Sequence, residues 1–222
     1  CNGQESETLT VSSDLTGTSY VWSTGVTTMD ILVSPTATTV YSITGSNGSC
    51  GGTGSYTVTV ATPPTISATG TGVCSGAPST ISASGATNYN WDNSLGTGTS
   101  HSVSPTSTTV YNVTGTDVNG CSGTASVSVA VSPNPTITVT GDEICMGDQG
   151  SLTASGATSY SWSDGLGTGA TVSASPTSTT TYNVTGTDGN GCTGTSIGTI
   201  EVNNLPTVTL STDDELICLG QE

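Results

Sequence analysis

The sequence contains no lysine, no arginine and no phenylalanine, and its sixteen acidic residues give a formal net charge of −16. A protein without cationic side chains cannot neutralise phosphates, which argues against binding of nucleic acid and against docking on an anionic lipid surface. No apolar run reaches the roughly eighteen residues that a membrane-spanning helix needs, so no membrane span is predicted. No stretch shows the 3.6-residue hydrophobic period of an amphipathic helix, so helices are not predicted.

Short runs of alternating apolar and small polar residues fill the sequence instead. In "SGTASVSVAV" (122–131), Val127, Val129 and Val131 share one face of a strand and the intervening serines share the other. Asn-Gly pairs follow several of these runs and are typical of tight hairpin turns. The fold class is therefore predicted to be all-β.

The chain repeats itself with a step of about 71 residues. A Tyr-x-Trp motif occurs in each repeat, and a longer Ser-Pro-Thr motif follows it. The motifs are "YVW" (20–22), "YNW" (89–91) and "YSW" (160–162), followed by "SPTATTVYSITG" (34–45), "SPTSTTVYNVTGTD" (104–117) and "SPTSTTTYNVTGTD" (175–188). One cysteine precedes each tryptophan and another follows each long motif, so the chain is a tandem array.

Each repeat has six or seven short predicted strands and one tryptophan on the third, which favours a small immunoglobulin-like (Ig-like) β-sandwich. We predict three such modules: module 1 (1–61), which lacks its first strand, module 2 (62–132) and module 3 (133–204). Residues 205–222 are predicted to supply the first strand of a fourth module. The predicted core residues are Trp22, Trp91, Trp162, Tyr41, Tyr111 and Tyr182.

The series of "PTI", Cys-x-Gly, "LTASGA", Tyr-x-Trp and "SPTSTTTYNVTGTD" with a following Asn-Gly-Cys resembles the Ig-like repeats of very large secreted Bacteroidota surface proteins. Those proteins include gliding-motility adhesins and cell-surface proteins exported by the type IX secretion system. The resemblance covers essentially the whole chain and implies a tandem, extracellular, non-catalytic array that serves as a stalk, filament or adhesin. It identifies no ligand, because such repeats occur in proteins of many roles. Module 1 departs from the pattern with "GSNGSCGGTGSY" (45–56).

Seven cysteines in an acidic chain without predicted helices indicate an oxidising compartment. Two pairing schemes are open, one within modules and one between head-to-tail neighbours. The first scheme pairs Cys1–Cys50, Cys74–Cys121 and Cys145–Cys192, and the second pairs Cys1–Cys121 and Cys74–Cys192. The first has the simpler spacing, but it places partners at opposite ends of a strand roughly 30 Å long, whereas disulfide Cα atoms lie within about 7 Å. Cys218 is left unpaired or bonded to another subunit.

Metal binding has weak support in the sequence. Asp117, Asn119, Asp188 and Asn190 are candidate calcium ligands at two hairpins, but the other carboxylates of a calcium loop are missing, which favours plain turns. The acidic runs "GDE" (141–143) and "STDDE" (211–215) are interpreted as solvated loops.

Catalysis has no motif to support it. His101 lies on a predicted strand with no marked nucleophile, so a strand residue is the favoured interpretation. The three tryptophans recur in register, which favours core packing over stacking on sugars. We therefore predict no enzyme activity and no cofactor.

The function predicted from these features is that of a structural component of an extracellular filament or adhesin stalk. The alternative is a cell-surface adhesion module that binds glycan or another surface through its loops. No repeat has a divergent loop rich in aromatic or charged residues, which favours the structural role.

The incomplete first module and the surplus strand after module 3 have two interpretations. The chain is a window on a longer covalent array, or residues 205–217 of one copy complete module 1 of a neighbouring copy by strand addition. The second interpretation gives an open-ended fibre whose partners are further copies of the chain.

Overall fold

The computed structural model describes residues 1, 6–14 and 16–211, and every regular element among them is a β-strand. The prediction of an all-β, tandem Ig-like fold is confirmed. Two compact units, Cys1–Val131 and Ser132–Glu222, divide the chain. Cys218 and residues 212–217 of the predicted fourth-module strand lie outside the described residues.

The described residues contain twenty-one short strands. Module 1 contains β1 (Glu7–Thr10), β2 (Ser19–Trp22), β3 (Asp30–Val33), β4 (Thr39–Asn47) and β5 (Cys50–Val58). Module 2 contains β6 (Ser67–Thr69), β7 (Val73–Cys74), β8 (Ser79–Ser84), β9 (Asn88–Trp91), β10 (Gly96–Thr97), β11 (Ser100–Val103), β12 (Thr109–Thr116), β13 (Ser122–Val129) and β14 (Val131–Ser132). Module 3 contains β15 (Thr138–Gly141), β16 (Glu143–Cys145), β17 (Gly150–Ser155), β18 (Ser159–Trp162), β19 (Thr171–Ala174), β20 (Thr180–Thr187) and β21 (Thr193–Asn203).

Module 3 shows the full two-layer arrangement. One sheet has the order β15-β17-β19 and the other has the order β16-β21-β20-β18. Strand β16 runs parallel to β21, with Glu143 opposite Glu201 and Cys145 opposite Asn203. Seven strands divided between two facing sheets in this way form an Ig-like sandwich. Module 2 repeats the pattern with the sheets β6-β8-β11 and β10-β9-β12-β13.

Each module has its own hydrophobic core, because inward side chains alternate with exposed threonine and serine along the strands. In β20, Tyr182 and Val184 are buried while Thr181 and Asn183 between and beside them are exposed. All six predicted core residues are buried: Trp22, Trp91, Trp162, Tyr41, Tyr111 and Tyr182. The side chains at the centre of the cores of modules 2 and 3 are fully buried and include Ile81, Val113, Leu152 and Ile200.

In module 2, the segment that precedes the first strand lies across two glycines. Gly115 of β12 and Gly123 of β13 are paired across the sheet. A Cβ on Gly123 would overlap the carbonyl oxygen of Pro64, and a Cβ on Gly115 would crowd the side chain of Ile66. Residues 64–66 precede β6 and lie against the two glycines. Pro64 has no N–H with which to join a strand ladder. Module 3 repeats the approach with Gly186, Gly194, Pro135 and Ile137.

Module 1 has no covering segment among the described residues. There, β1 pairs only with β3, and Gly45 and Gly52 oppose each other in β4 and β5 as Gly115 and Gly123 do in module 2. A Cβ on Gly52 would meet no atom within 4 Å. A groove of about 420 Å³ lies there, lined by both glycines and by Tyr20.

Gly123 of module 2 and Gly52 of module 1 have the same position in their sheets, but replacing each by alanine is expected to have different consequences for stability. Gly123→Ala must displace the backbone at Pro64 and should destabilise module 2 by about 1–3 kcal/mol. Gly52→Ala enters open space and should change the stability of module 1 by less than about 0.5 kcal/mol. Hydrogen exchange resolved by module measures both free energies of opening, and equal effects of the two substitutions would contradict the assignment.

Candidate functional site

The site with the strongest structural definition is a disulfide between two modules of unit 1. The Sγ atoms of Cys1 and Cys121 are 2.04 Å apart and their Cα atoms 5.4 Å apart, at a sequence separation of 120. Cys121 is buried, and its Sγ lies 4.0 Å from the carbonyl oxygen of Ala61. The start of module 1 is thereby bonded to the final hairpin of module 2.

The within-module pairs do not form in the structure. Cys50 and Cys145 are free and exposed, which leaves Cys1–Cys50 and Cys145–Cys192 unmade, and Cys121 is bonded to Cys1 and not to Cys74. Cys74 and Cys192 are also disulfide-bonded.

The geometry of module 2 explains why its two cysteines stay apart. Val73, next to Cys74, donates its backbone N–H to the carbonyl oxygen of Ala130, beyond the last residue of β13, whereas Cys121 precedes the first. Eight residues of strand separate the two ends by about 27 Å. A disulfide cannot span that distance.

An aspartate carboxylate holds the hairpin that carries Cys121. Asp117 Oδ1 accepts the backbone N–H of Asn119 at 2.8 Å and that of Cys121 at 2.9 Å. Gly120 adopts a φ of 79°, which lets the turn close. This role of Asp117, a calcium candidate by sequence, was not predicted, although the aspartate four residues before a cysteine in modules 2 and 3 was a usable signal.

The hairpin of module 3 has the same construction. Asp188 Oδ1 accepts the N–H groups of Asn190 and Cys192, each at 2.9 Å. In both hairpins the carboxylate is thus committed to the amides of its own turn. Within the described part of the chain, no group of three or more His, Cys, Asp or Glu side chains is placed to hold a metal ion.

The hairpin of module 1 is one residue shorter than the other two. Six residues separate Gly45 from Gly52, whereas seven separate Gly115 from Gly123. Cys50 therefore pairs directly with Asn47 at the start of β5, and its thiol is exposed beside the groove.

The tryptophans make one recurring hydrogen bond inside each module. The indole N–H groups of Trp22, Trp91 and Trp162 donate to the backbone carbonyl oxygens of Thr28, Gly98 and Gly169, at 2.9, 3.0 and 2.9 Å. Since these rings are at least nine-tenths buried, they are not available for stacking on sugars. The N–H group of each ring is instead hydrogen-bonded to the loop that precedes β3, β11 or β19.

His101 lies on β11 and is half-buried. Its ring stands edge-on to Trp91, with the ring centroids 6.2 Å apart. Its Nε2 atom is buried and has no hydrogen-bond partner among the described residues. Packing against the core tryptophan therefore accounts for its position.

Asp142, in the "GDE" run, binds a serine of its own module. Its Oδ2 accepts the hydroxyl of Ser151 at 2.7 Å and the backbone N–H of the same residue at 2.8 Å. The bond from the Ser151 hydroxyl, and to a smaller extent the bond from its backbone N–H, hold the pKa of the Asp142 carboxyl below its ordinary value. The stabilisation is present above the ordinary carboxyl pKa of about 3.9 and is lost as the pH falls through the lowered pKa.

No family model matches the chain, and no curated protein matches it by sequence. Solved structures of tandem Ig-like domains are similar to it. The three-domain titin segment I67–I69 has a TM-score of 0.41 and 12% identity, covering 90% of this chain and 93% of that one. A structure from a 1.5-MDa bacterial ice-binding adhesin has a TM-score of 0.38 and 15% identity, and the match covers 90% of this chain and 91% of that one. Domains 1–5 of Sidekick-1 have a TM-score of 0.33 and 12% identity. The match covers 91% of this chain and 56% of that structure.

These similarities concern the fold alone. The strands themselves show that the chain is a tandem of Ig-like sandwiches, a fold class that is typically non-catalytic. Helices long and apolar enough to cross a membrane are absent from the described residues.

Removing the carboxylate of Asp117 tests its role as a turn anchor. Asp117→Ala loses two hydrogen bonds to a charged acceptor and should lower the stability of module 2 by about 1–2 kcal/mol. Asp117→Asn keeps an acceptor oxygen and should lose less than half as much. Thermal unfolding with added calcium and with a chelator measures both variants, and a calcium-dependent Tm lost in Asp117→Asn would instead support the calcium hypothesis.

Opening the disulfide tests its contribution to stability. Cys121→Ser frees a loop with a sequence separation of 120 and should lower the free energy of unfolding by up to about 5 kcal/mol through the chain entropy of the unfolded state. Cys50→Ser removes a free, exposed thiol and should change it by less than about 0.5 kcal/mol. Urea unfolding of the oxidised proteins compares them, and a loss of similar size in both variants would contradict the assigned pairing.

Proposed function

We propose that this chain is a tension-bearing segment of an extracellular filament or adhesin stalk built from Ig-like repeats. The observation that carries the proposal is the Cys1–Cys121 disulfide, which joins the start of one module to the last hairpin of the next. Such a bond keeps the two modules connected when either of them unfolds, which is a useful property in a fibre under load.

The disulfide changes the covalent path that tension takes through unit 1. Force that enters at Cys1 crosses to Cys121 and leaves along β13, so the residues between the two cysteines carry none of it. Unfolding inside the closed loop then cannot lengthen the chain. At about 3.4 Å per extended residue, a separation of 120 residues corresponds to about 400 Å of withheld extension.

Several features support an extracellular location for this segment. Disulfides form and persist in oxidising compartments, which include the cell surface. The motif resemblance to the secreted surface proteins of Bacteroidota extends the proposal to type IX export. A surface without any cation and with a net charge of −16 keeps neighbouring fibres soluble and apart.

The proposed partners are further copies of the chain, arranged head to tail in an open-ended fibre. The proposed structural units are residues 1–61, 62–132 and 133–204, with residues 205–222 belonging to the next unit of the array. Adhesion through loops has weaker support, because the aromatic residues best suited to sugar binding are buried in the cores.

Stretching single molecules tests the mechanical role. Because Cys74 and Cys192 are also disulfide-bonded, the test uses a Cys74→Ser/Cys192→Ser chain, in which reduction opens the Cys1–Cys121 bond. The oxidised form of this chain should reach a final length about 400 Å shorter than its reduced form. In the same background, Cys121→Ser should match the reduced length without reductant, and Cys50→Ser should match the oxidised length. Equal lengths of the oxidised and reduced forms would refute tension bypass.

Electron microscopy of the native material tests the architectural role. Long uniform fibres labelled at regular intervals by an antibody against module 1 are the expected result. Isolated short rods on the cell surface would favour the adhesion module instead.

A further inference from the structure

We infer that Asn119 and Asn190 are sites of spontaneous deamidation and that Asp117 and Asp188 restrain the reaction. Each asparagine precedes a glycine and lies two residues before a disulfide-bonded cysteine. The inference assigns a chemical modification to the two hairpins, which is independent of the proposed mechanical role.

An asparagine followed by a glycine is chemically labile, because glycine has no side chain to hinder attack by its own backbone nitrogen. That nitrogen forms a bond to Cγ of the asparagine, the Cγ–Nδ2 bond breaks, and ammonia leaves with the proton of the glycine N–H. Water then opens the cyclic imide at either carbonyl and gives aspartate or isoaspartate. The net reaction consumes one water and releases one ammonia, so neither an oxidant nor an enzyme is needed.

Both sites present the reacting groups to solvent. Asn119 and Asn190 are exposed, and among the described residues their side-chain amides have no hydrogen-bond partner. A Cβ on Gly120 or Gly191 would meet no atom within 4 Å. Water therefore reaches the turn, and each asparagine side chain can rotate toward the nitrogen of the following glycine.

Asp117 opposes the reaction by holding the backbone around Asn119. Its Oδ1 accepts the N–H groups of Asn119 and Cys121 at 2.8 and 2.9 Å. Its backbone carbonyl oxygen accepts the N–H of Gly120 at 3.2 Å, so the nitrogen that must attack is held in the turn. This last bond is the longest of the three, and the two bonds to the charged carboxylate therefore supply most of the restraint.

Asp188 holds the second site in the same way. Its Oδ1 accepts the N–H groups of Asn190 and Cys192, each at 2.9 Å, and its carbonyl oxygen accepts the N–H of Gly191 at 3.2 Å. One chain thus contains two copies of the same arrangement. A substitution in one hairpin leaves the other unchanged, which provides an internal reference for the rate.

The Asn47-Gly48 pair of module 1 differs from the other two. The side-chain amide of Asn47 donates to the carbonyl oxygen of Thr16 at 2.7 Å, which holds it away from the following nitrogen. No aspartate stands two residues before it, since that position is Gly45. Asn47 is therefore expected to react more slowly than Asn119 in a chain from which the Asp117 carboxylate has been removed.

Deamidation loosens the hairpin from inside. Isoaspartate at position 119 carries the main chain through its side chain, which adds one carbon atom between Asp117 and Cys121. The two amides that now meet at one carboxylate oxygen are then displaced, and a second carboxylate stands beside the first. Cys121 is buried in the unmodified hairpin, so the modification should expose its disulfide with Cys1 to thiols.

The test incubates the oxidised chain in H₂¹⁸O at neutral pH, well below its unfolding temperature, with mass spectrometry after peptic digestion. Asn119 and Asn190 are expected to take up ¹⁸O, and electron-transfer fragmentation should show isoaspartate at both. Asn88 is exposed but precedes a tyrosine, and it should stay unmodified. The chain unfolded in urea should react faster at both sites, because the restraint is then absent.

Substitution of one aspartate at a time measures the restraint. Asp117→Ala should accelerate deamidation of Asn119 by about fivefold or more relative to Asn190 in the same molecule. Asp188→Ala should reverse the preference. Asp117→Asn keeps an acceptor oxygen and should accelerate the reaction by less than about twofold.

A core substitution separates local restraint from general loss of stability. Val113→Ala removes buried methyl groups from module 2 and leaves the hairpin bonds in place. While the module stays folded, the ratio of the Asn119 and Asn190 rates in this variant should remain that of the wild type.

The disulfide supplies a second readout. Chain deamidated at Asn119 is separated from unmodified chain by anion exchange, since it carries one more negative charge. Its Cys1–Cys121 bond should be reduced by glutathione about fivefold faster or more.

Four results would overturn the inference. These are no uptake of ¹⁸O at either site in the folded chain, equal rates at the two sites in Asp117→Ala, the same acceleration in Val113→Ala as in Asp117→Ala, and unchanged reduction of the disulfide after deamidation. None of them alters the single-molecule extension of freshly prepared chain, so the modification can fail while the tension-bearing role stands.

Discussion

The buried indole on strands β2, β9 and β18 is the contact on which each module depends. Trp22, Trp91 and Trp162 fill the space between the two sheets, and each closes its polar edge with one hydrogen bond to the following loop. The remaining core is built from aliphatic residues and tyrosine, because the sequence has no phenylalanine. A single large ring is thereby the largest side chain in each core and is bonded to the loop beside it.

Such a thin core explains why covalent and backbone contacts carry so much of the organisation. The first segment of modules 2 and 3 is held by backbone close to paired glycines, where a larger residue could not fit. The hairpin is held by an aspartate that accepts its own amides, and the junction of modules 1 and 2 is held by a disulfide. Small domains with little apolar area commonly gain stability in this way.

The sequence predicts the all-β fold and the core because strand alternation is local and the repeat shows which residues recur. It could not decide the cysteine pairing, since that depends on which end of each sandwich faces its neighbour. Residues 64–66 carry an apolar, strand-like pattern, yet they lie outside β6 because their position is set by distant glycines. The role of Asp117 and the groove beside Gly52 were likewise hidden, because both are products of folded geometry.

The parallel pairing of β16 with β21 has a mechanical consequence of its own. Strand β16, the second strand of module 3, and β21, the last, lie side by side and point the same way. Pulling on the two connections slides these strands past each other, so their hydrogen bonds are loaded in shear and must break together. Antiparallel neighbours pulled from one end would open one bond at a time, like a zipper. A module whose terminal hydrogen bonds are loaded in shear resists a pulling force better than expected from the size of its hydrophobic core.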